Sequence, residues 1–149
     1  NPGTTEVTWT TGDDDVAPLT IPFPFSFYGT NYTTVYASSN GWVSFTDPAA
    51  VTAAVQRTSV TIPTAGGLEN YIAGAMRDMD MTPATYADAH LYYTGDPNQF
   101  IITYWHVHAF GSATDYVTFQ IILKPHSGQT ALCPINRVPR RAQATATDS

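Results

Sequence analysis

The stretch FSFYGTNYTTVYASSNGWVSF, Phe25 to Phe45, decides the fold. It alternates rings and aliphatic side chains with Ser and Thr, and glycines punctuate it only at Tyr28-Gly29 and Asn40-Gly41. A period of two sends successive side chains to opposite faces of a β-strand. The pattern begins upstream: Phe23, Phe25 and Phe27 share one face, with Pro22, Pro24 and Ser26 on the other. The two prolines remove ladder donors, so this strand is expected at a sheet edge or paired on one side only. Asn40-Gly41 predicts a two-residue hairpin turn, because both residues tolerate positive φ. That turn should join a strand near Thr33–Ser38 to one near Trp42–Thr46. The rings read as core filling ahead of ligand contact.

Working outward, the same period recurs. In DYVTFQIILK (Asp115–Lys124), Val117, Phe119, Ile121 and Leu123 face one way, and Thr118 and Gln120 the other. AHLYYTG and QFIITYWHVHAF read as two strands joined by the turn Gly95-Asp96-Pro97-Asn98. ENYIAGAMRDMDM reads as a strand through Tyr71–Met76 that runs into an acidic turn. DPAAVTAAVQRT (Asp47–Thr58) is the one helical candidate, with Asp47 as cap and Pro48 at the first helical position. Short strands with turns every 8–12 residues predict an all-β fold, an antiparallel β-sandwich or jelly roll. Residues 12–132 form the expected sandwich domain, between an extended N-terminal segment (1–11) and an extended C-terminal tail (133–149).

The chain has 149 residues, the size of one domain with a substantial core. Only 12% are charged, yet 43% are hydrophobic, enough to offset the entropy of ordering. The net charge of −6 argues against nucleic acid, and no apolar run is long enough to insert into a membrane as a helix. Residues 1–132 hold three basic and eleven acidic side chains, whereas residues 133–149 hold Arg137, Arg140 and Arg141 against Asp148. An acidic body with a basic tail suits head-to-tail pairing between copies. Cys133 is the single cysteine and permits no internal disulfide. The start at Asn1-Pro2, without Met, reads as processed or trimmed.

The run LTIPFPFSFYGTNYTTVYASSNGWVSF resembles a signature of secreted bacterial surface modules and, more distantly, nidogen-type extracellular domains. The resemblance rests on Pro-Phe-x-Phe-x-Phe-Tyr-Gly followed by Ser-Asn-Gly-aromatic. YIAGAMRDMDMTP, LYYTGDPNQFIITYWHV and VTFQIIL follow in matching order, so it covers about Gly12 to Leu123. It implies an extracellular or cell-surface β-sandwich used in surface, adhesive or matrix proteins, and no enzyme. The chain departs from the pattern at Ala75-Met76-Arg77, where aromatics usually precede the acids, and after Leu123, where a closing strand is hard to find.

The residues themselves assemble no catalytic site. His106 and His108 alternate on one strand face, as jelly-roll metal ligands do, but a third ligand is wanting and only Asp115 is near in sequence. Asp13, Asp14, Asp15, Asp78 and Asp80 offer the oxygen ligands that calcium accepts, against the ordinary reading of solvated turns. Asn31-Tyr32-Thr33 is an N-glycosylation sequon placed after a glycine turn, and the many Ser and Thr residues are candidates for O-linked sugars.

The chain ends bury too little to stay ordered alone, which points to another copy as their holder. Val7 and Trp9 share a face in the N-terminal segment and suit strand addition to a neighbour's sheet edge. The tail arginines Arg137, Arg140 and Arg141 suit acids of a neighbour. The expected function is therefore a structural, self-assembling subunit of an extracellular fibre or appendage, with itself as partner. The alternatives are an adhesive or carbohydrate-binding module and, less favoured, a viral capsid jelly roll whose basic arm the tail would be.

Overall fold

The computed structural model describes residues 4–50 and 67–126. In chain order the strands are β1 (Thr5–Glu6), β2 (Val16–Phe27), β3 (Thr30–Ser38), β4 (Trp42–Ser44), β5 (Tyr71–Ala73), β6 (Met79–Asp80), β7 (His90–Asp96), β8 (Gln99–Ala109) and β9 (Tyr116–Leu123). One antiparallel sheet has the order β2-β3-β4-β5. The other runs β1-β7-β8-β6, with β9 also paired to β8. The fold is the expected all-β sandwich. Residues 48–50 of the helical candidate form one 3-10 turn, its start bonded by Ala49 N to Asp47 Oδ1, and residues 51–58 lie outside the described residues.

The alternating segments fold as their periods require. In β2, Leu19, Ile21, Phe23 and Phe25 are buried while Thr20, Pro22 and Pro24 are exposed. β2 is an edge strand, and its register against β3 shifts between Thr20 and Phe25. Both prolines fall in that irregular stretch, where the ladder does not need their missing donors. Opposite them, Leu91, Phe100, Ile102, Tyr104, Phe119, Ile121 and Leu123 fill the core from β7, β8 and β9. Burial of these side chains is the main stabilising term, each large one contributing about 1.5–3 kcal/mol.

Tyr28-Gly29 forms a two-residue hairpin turn, and Asn40-Gly41 does not. Tyr28 and Gly29 have φ of 46° and 82° between the paired residues Phe27 and Thr30, the signature of a type I′ turn. At the second site only Gly41 has positive φ, and the turn is wider: Ala37 pairs with Val43, and Gly41 N donates to Ser38 O. The strands it joins are the expected ones. β5 ends after Ala73, because Gly74 N and Ala75 N turn to Gly41 O instead of extending the ladder. The chain then crosses to the other sheet, where Met79 and Asp80 pair with Ala109 and His108.

Candidate functional site

The Ser-Asn-Gly-Trp signature forms a buried junction between the sheets. Asn40 Oδ1 accepts from Met79 N at 2.7 Å, and its Nδ2 donates to Asp14 Oδ1 at 2.8 Å. Ser39 N donates to Asp15 O, and Ser39 Oγ accepts from Asp15 N. Trp42 O accepts from the Tyr104 hydroxyl at 2.9 Å. Burial pushes that hydroxyl's pKa far up, so it stays a neutral donor. Four segments distant in sequence are thus tied together. The signature's first duty is to hold the sandwich closed.

The junction also gathers acids. Side-chain oxygens of Asp13, Asp14 and Asp78 lie within 4.8 Å of one another. Asp78 Oδ1 is buried with no hydrogen-bond partner among the described residues. The other two acids of the calcium reading are turned elsewhere. Asp15 Oδ2 accepts from Thr11 N and Gly12 N, and Asp80 Oδ1 accepts from Thr82 N. Calcium takes six to eight oxygens, so the trio supplies only part of such a shell.

The two histidines meet a carboxylate that the sequence did not point to. Asp88 Oδ1 lies 3.1 Å from His108 Nε2, and Asp88 Oδ2 lies 3.3 Å from His106 Nδ1. Asp115, the carboxylate near in sequence, pairs with Arg77 at 2.9 Å instead. Strand alternation does not explain the meeting. His106 has φ of 47°, and the β8–β9 register shifts between Tyr104 and Val107, so a bulge re-aims the ring. His108 is buried under Tyr86, its ring stacked at 4.4 Å, and its Nδ1 faces Ser112 O at 3.2 Å. Both nitrogens of His108 therefore face oxygen acceptors. Burial raises the Asp88 pKa, but the hydrogen bonds from His108 and His106 outweigh it and hold the carboxyl below its ordinary value. One carboxylate thus ties the two imidazoles together.

The N-terminal segment lies along the edge of the five-stranded sheet. Thr5 pairs with Tyr93 and Glu6 with Tyr92, and Val7 N donates to Leu91 O at 2.8 Å. Val7 is buried and Trp9 packs against the core, but Trp9 Nε1 is buried with no hydrogen-bond partner among the described residues. A cavity of about 290 Å³ is lined by Val7, Trp9, Pro83, Tyr86 and His90. Asn31 is exposed on β3, beside the Tyr28-Gly29 turn. Arg137, Arg140, Arg141 and Cys133 lie outside the described residues.

The two antiparallel sheets define the class, an all-β sandwich domain. The chain belongs to the NIDO-related family, whose model matches residues 1–147. Domains of this kind are typically extracellular. Among curated proteins and among solved structures no match is found. Among the described residues no helix is long and apolar enough to cross a membrane.

Proposed function

We propose that this domain is a non-catalytic structural subunit of an extracellular fibre, and that copies join head to tail by exchanging the N-terminal strand β1. The observation that carries the reading is how lightly β1 is held. Its ladder is two residues long, both are exposed, and a cavity lies beside it. Trp9 Nε1 finds no partner among the described residues in this seat, a defect that costs about 1–3 kcal/mol when buried. Leaving its own edge unburies Val7 and Trp9, and adding to the same edge of a neighbour restores both, with equivalent backbone pairing. If the rotation between copies does not close, the repeat is a filament.

The tail arginines Arg137, Arg140 and Arg141 would sit against acids of the next copy, such as Asp13–Asp15, and set register more than strength. Asn31, exposed on the outer face of the other sheet, would carry an N-linked glycan in a glycosylating source. Electron microscopy of the full chain and of a chain lacking residues 1–11 tests the reading. Filaments from the full chain and single particles from the truncated one are expected. Unchanged filaments without residues 1–11 would refute strand exchange, and a full chain monomeric at high concentration would refute the fibre.

A further inference from the structure

The outer face of the five-stranded sheet carries a row of side chains that the core does not use. Glu6 pairs with Tyr92, Tyr92 with Thr103, and Thr103 with Gln120, so one line crosses β1, β7, β8 and β9. Their strand neighbours Leu91, Ile102, Tyr104, Phe119 and Ile121 point inward. The next row pairs His90 with Trp105, whose indole is 45% exposed. A trough of about 600 Å³ lies over the first row, with Thr94 and Ile101 also on its wall.

The polar groups are held in place. Gln120 Nε2 donates to Thr103 Oγ1 at 3.0 Å, and Glu6 Oε1 lies 2.6 Å from His90 Nδ1. The His90 and Tyr92 rings are 5.4 Å apart. Partial burial, aided by the Glu6 charge, pushes the Tyr92 pKa up, so its hydroxyl is a neutral donor.

We infer that this face is a binding site for a neutral glycan, with sugar rings on Tyr92 and Trp105 and sugar hydroxyls bonded by Glu6, Thr103 and Gln120. The chemistry selects the ligand. The C–H face of a pyranose packs on an aromatic ring, while its hydroxyls need donors and acceptors close to that plane. The trough offers a carboxylate, an amide and hydroxyls, and among the described residues no Lys or Arg lines it. A phosphate, sulfate or uronate would be repelled by the Glu6 carboxylate. An apolar protein surface would bury Glu6 and Gln120 with their outer lone pairs and protons unmet. The site holds whether β1 belongs to the same chain or to a neighbour, because the Glu6 position is filled either way.

The full-length chain, in whatever assembly it forms, is titrated with neutral hexasaccharides of glucose, mannose and galactose, and with hexagalacturonate as the acidic control. Calorimetry reads affinity, and hydroxyl-radical footprinting reads location. Saturable binding of at least one neutral hexasaccharide is expected, with protection at Tyr92 and Trp105. Tyr92→Ala and Gln120→Ala should each weaken it about tenfold, equivalent to about 1.4 kcal/mol. Tyr36→Ala, on the outer face of the other sheet, should leave it unchanged. If Tyr92→Ala does not fold, Gln120→Ala and the wild-type footprint decide. No binding by any neutral hexasaccharide, tighter binding of the acidic one, or protection confined to the other sheet overturns the proposal.

Discussion

The junction around Asn40 and the edge held by β1 are opposite kinds of place. At the junction the side-chain amide is wholly buried, and both ends of it are bonded to other segments. At the edge, two exposed residues make the ladder and a buried indole N–H goes without a partner among the described residues. The Ser39–Trp42 stretch therefore marks where the sandwich is closed, and the β1 edge marks where it is least tightly tied.

The largest expected effect is at the junction. Asn40→Ala removes the acceptor of Met79 N and the donor to Asp14 at once, and should cost on the order of 3–5 kcal/mol in chemical denaturation. A cost below that of an ordinary surface change would dissolve the contrast. The glycines sharpen it next. Gly41 has φ of 81°, and an added Cβ would stand 2.5 Å from Ala75 O, so Gly41→Ala should cost about 2–3 kcal/mol. Gly29 has φ of 82° but nothing within 4 Å, so Gly29→Ala should cost about 1 kcal/mol, backbone strain alone.

A smaller effect is expected at Asp88. Its folded pKa is lowered, so its contribution is fully present above the ordinary carboxylate pKa of about 3.9 and is lost as pH falls through the folded value. Thermal unfolding of Asp88→Asn should therefore lie below wild type at pH 7, and the gap should narrow below about pH 4. A gap that fails to narrow below about pH 4 would contradict the pairing with His106 and His108. The smallest effect is at the acid trio. Without a cation, Asp78→Asn relieves repulsion from Asp13 and Asp14 and should stabilise by about 0.5 kcal/mol in chelator. Added calcium that stabilises wild type but not Asp78→Asn would show that the trio holds the ion.

Much of the fold was legible in β2 and β9, where one face is apolar residue after residue and the edge position follows from Pro22 and Pro24. The hairpin at Asn40-Gly41 joins the expected strands, but its turn is wider than two residues because Asn40 is used as a buried brace. The meeting of His106 and His108 with Asp88 was not legible. It depends on a bulge that breaks the period and on a loop carboxylate 18 and 20 residues away. The sequence grouped five acids by proximity and charge, but turn geometry sends Asp15 and Asp80 to backbone donors and leaves three together. The outer-face row of Glu6, Tyr92, Thr103 and Gln120 needed the strand register, which no single segment contains.

Strand exchange is tested most directly by cross-linking Thr5 to Tyr93, the pair that joins β1 to β7. In a Cys133→Ser background, Thr5→Cys copies are mixed with Tyr93→Cys copies, assembled and oxidised. Paired residues on adjacent antiparallel strands are close enough for a disulfide. A disulfide joining the two variants in chains, seen by mass spectrometry, is the predicted result. The contradicting result is no link between copies, while the double variant in one chain closes the same bond within itself.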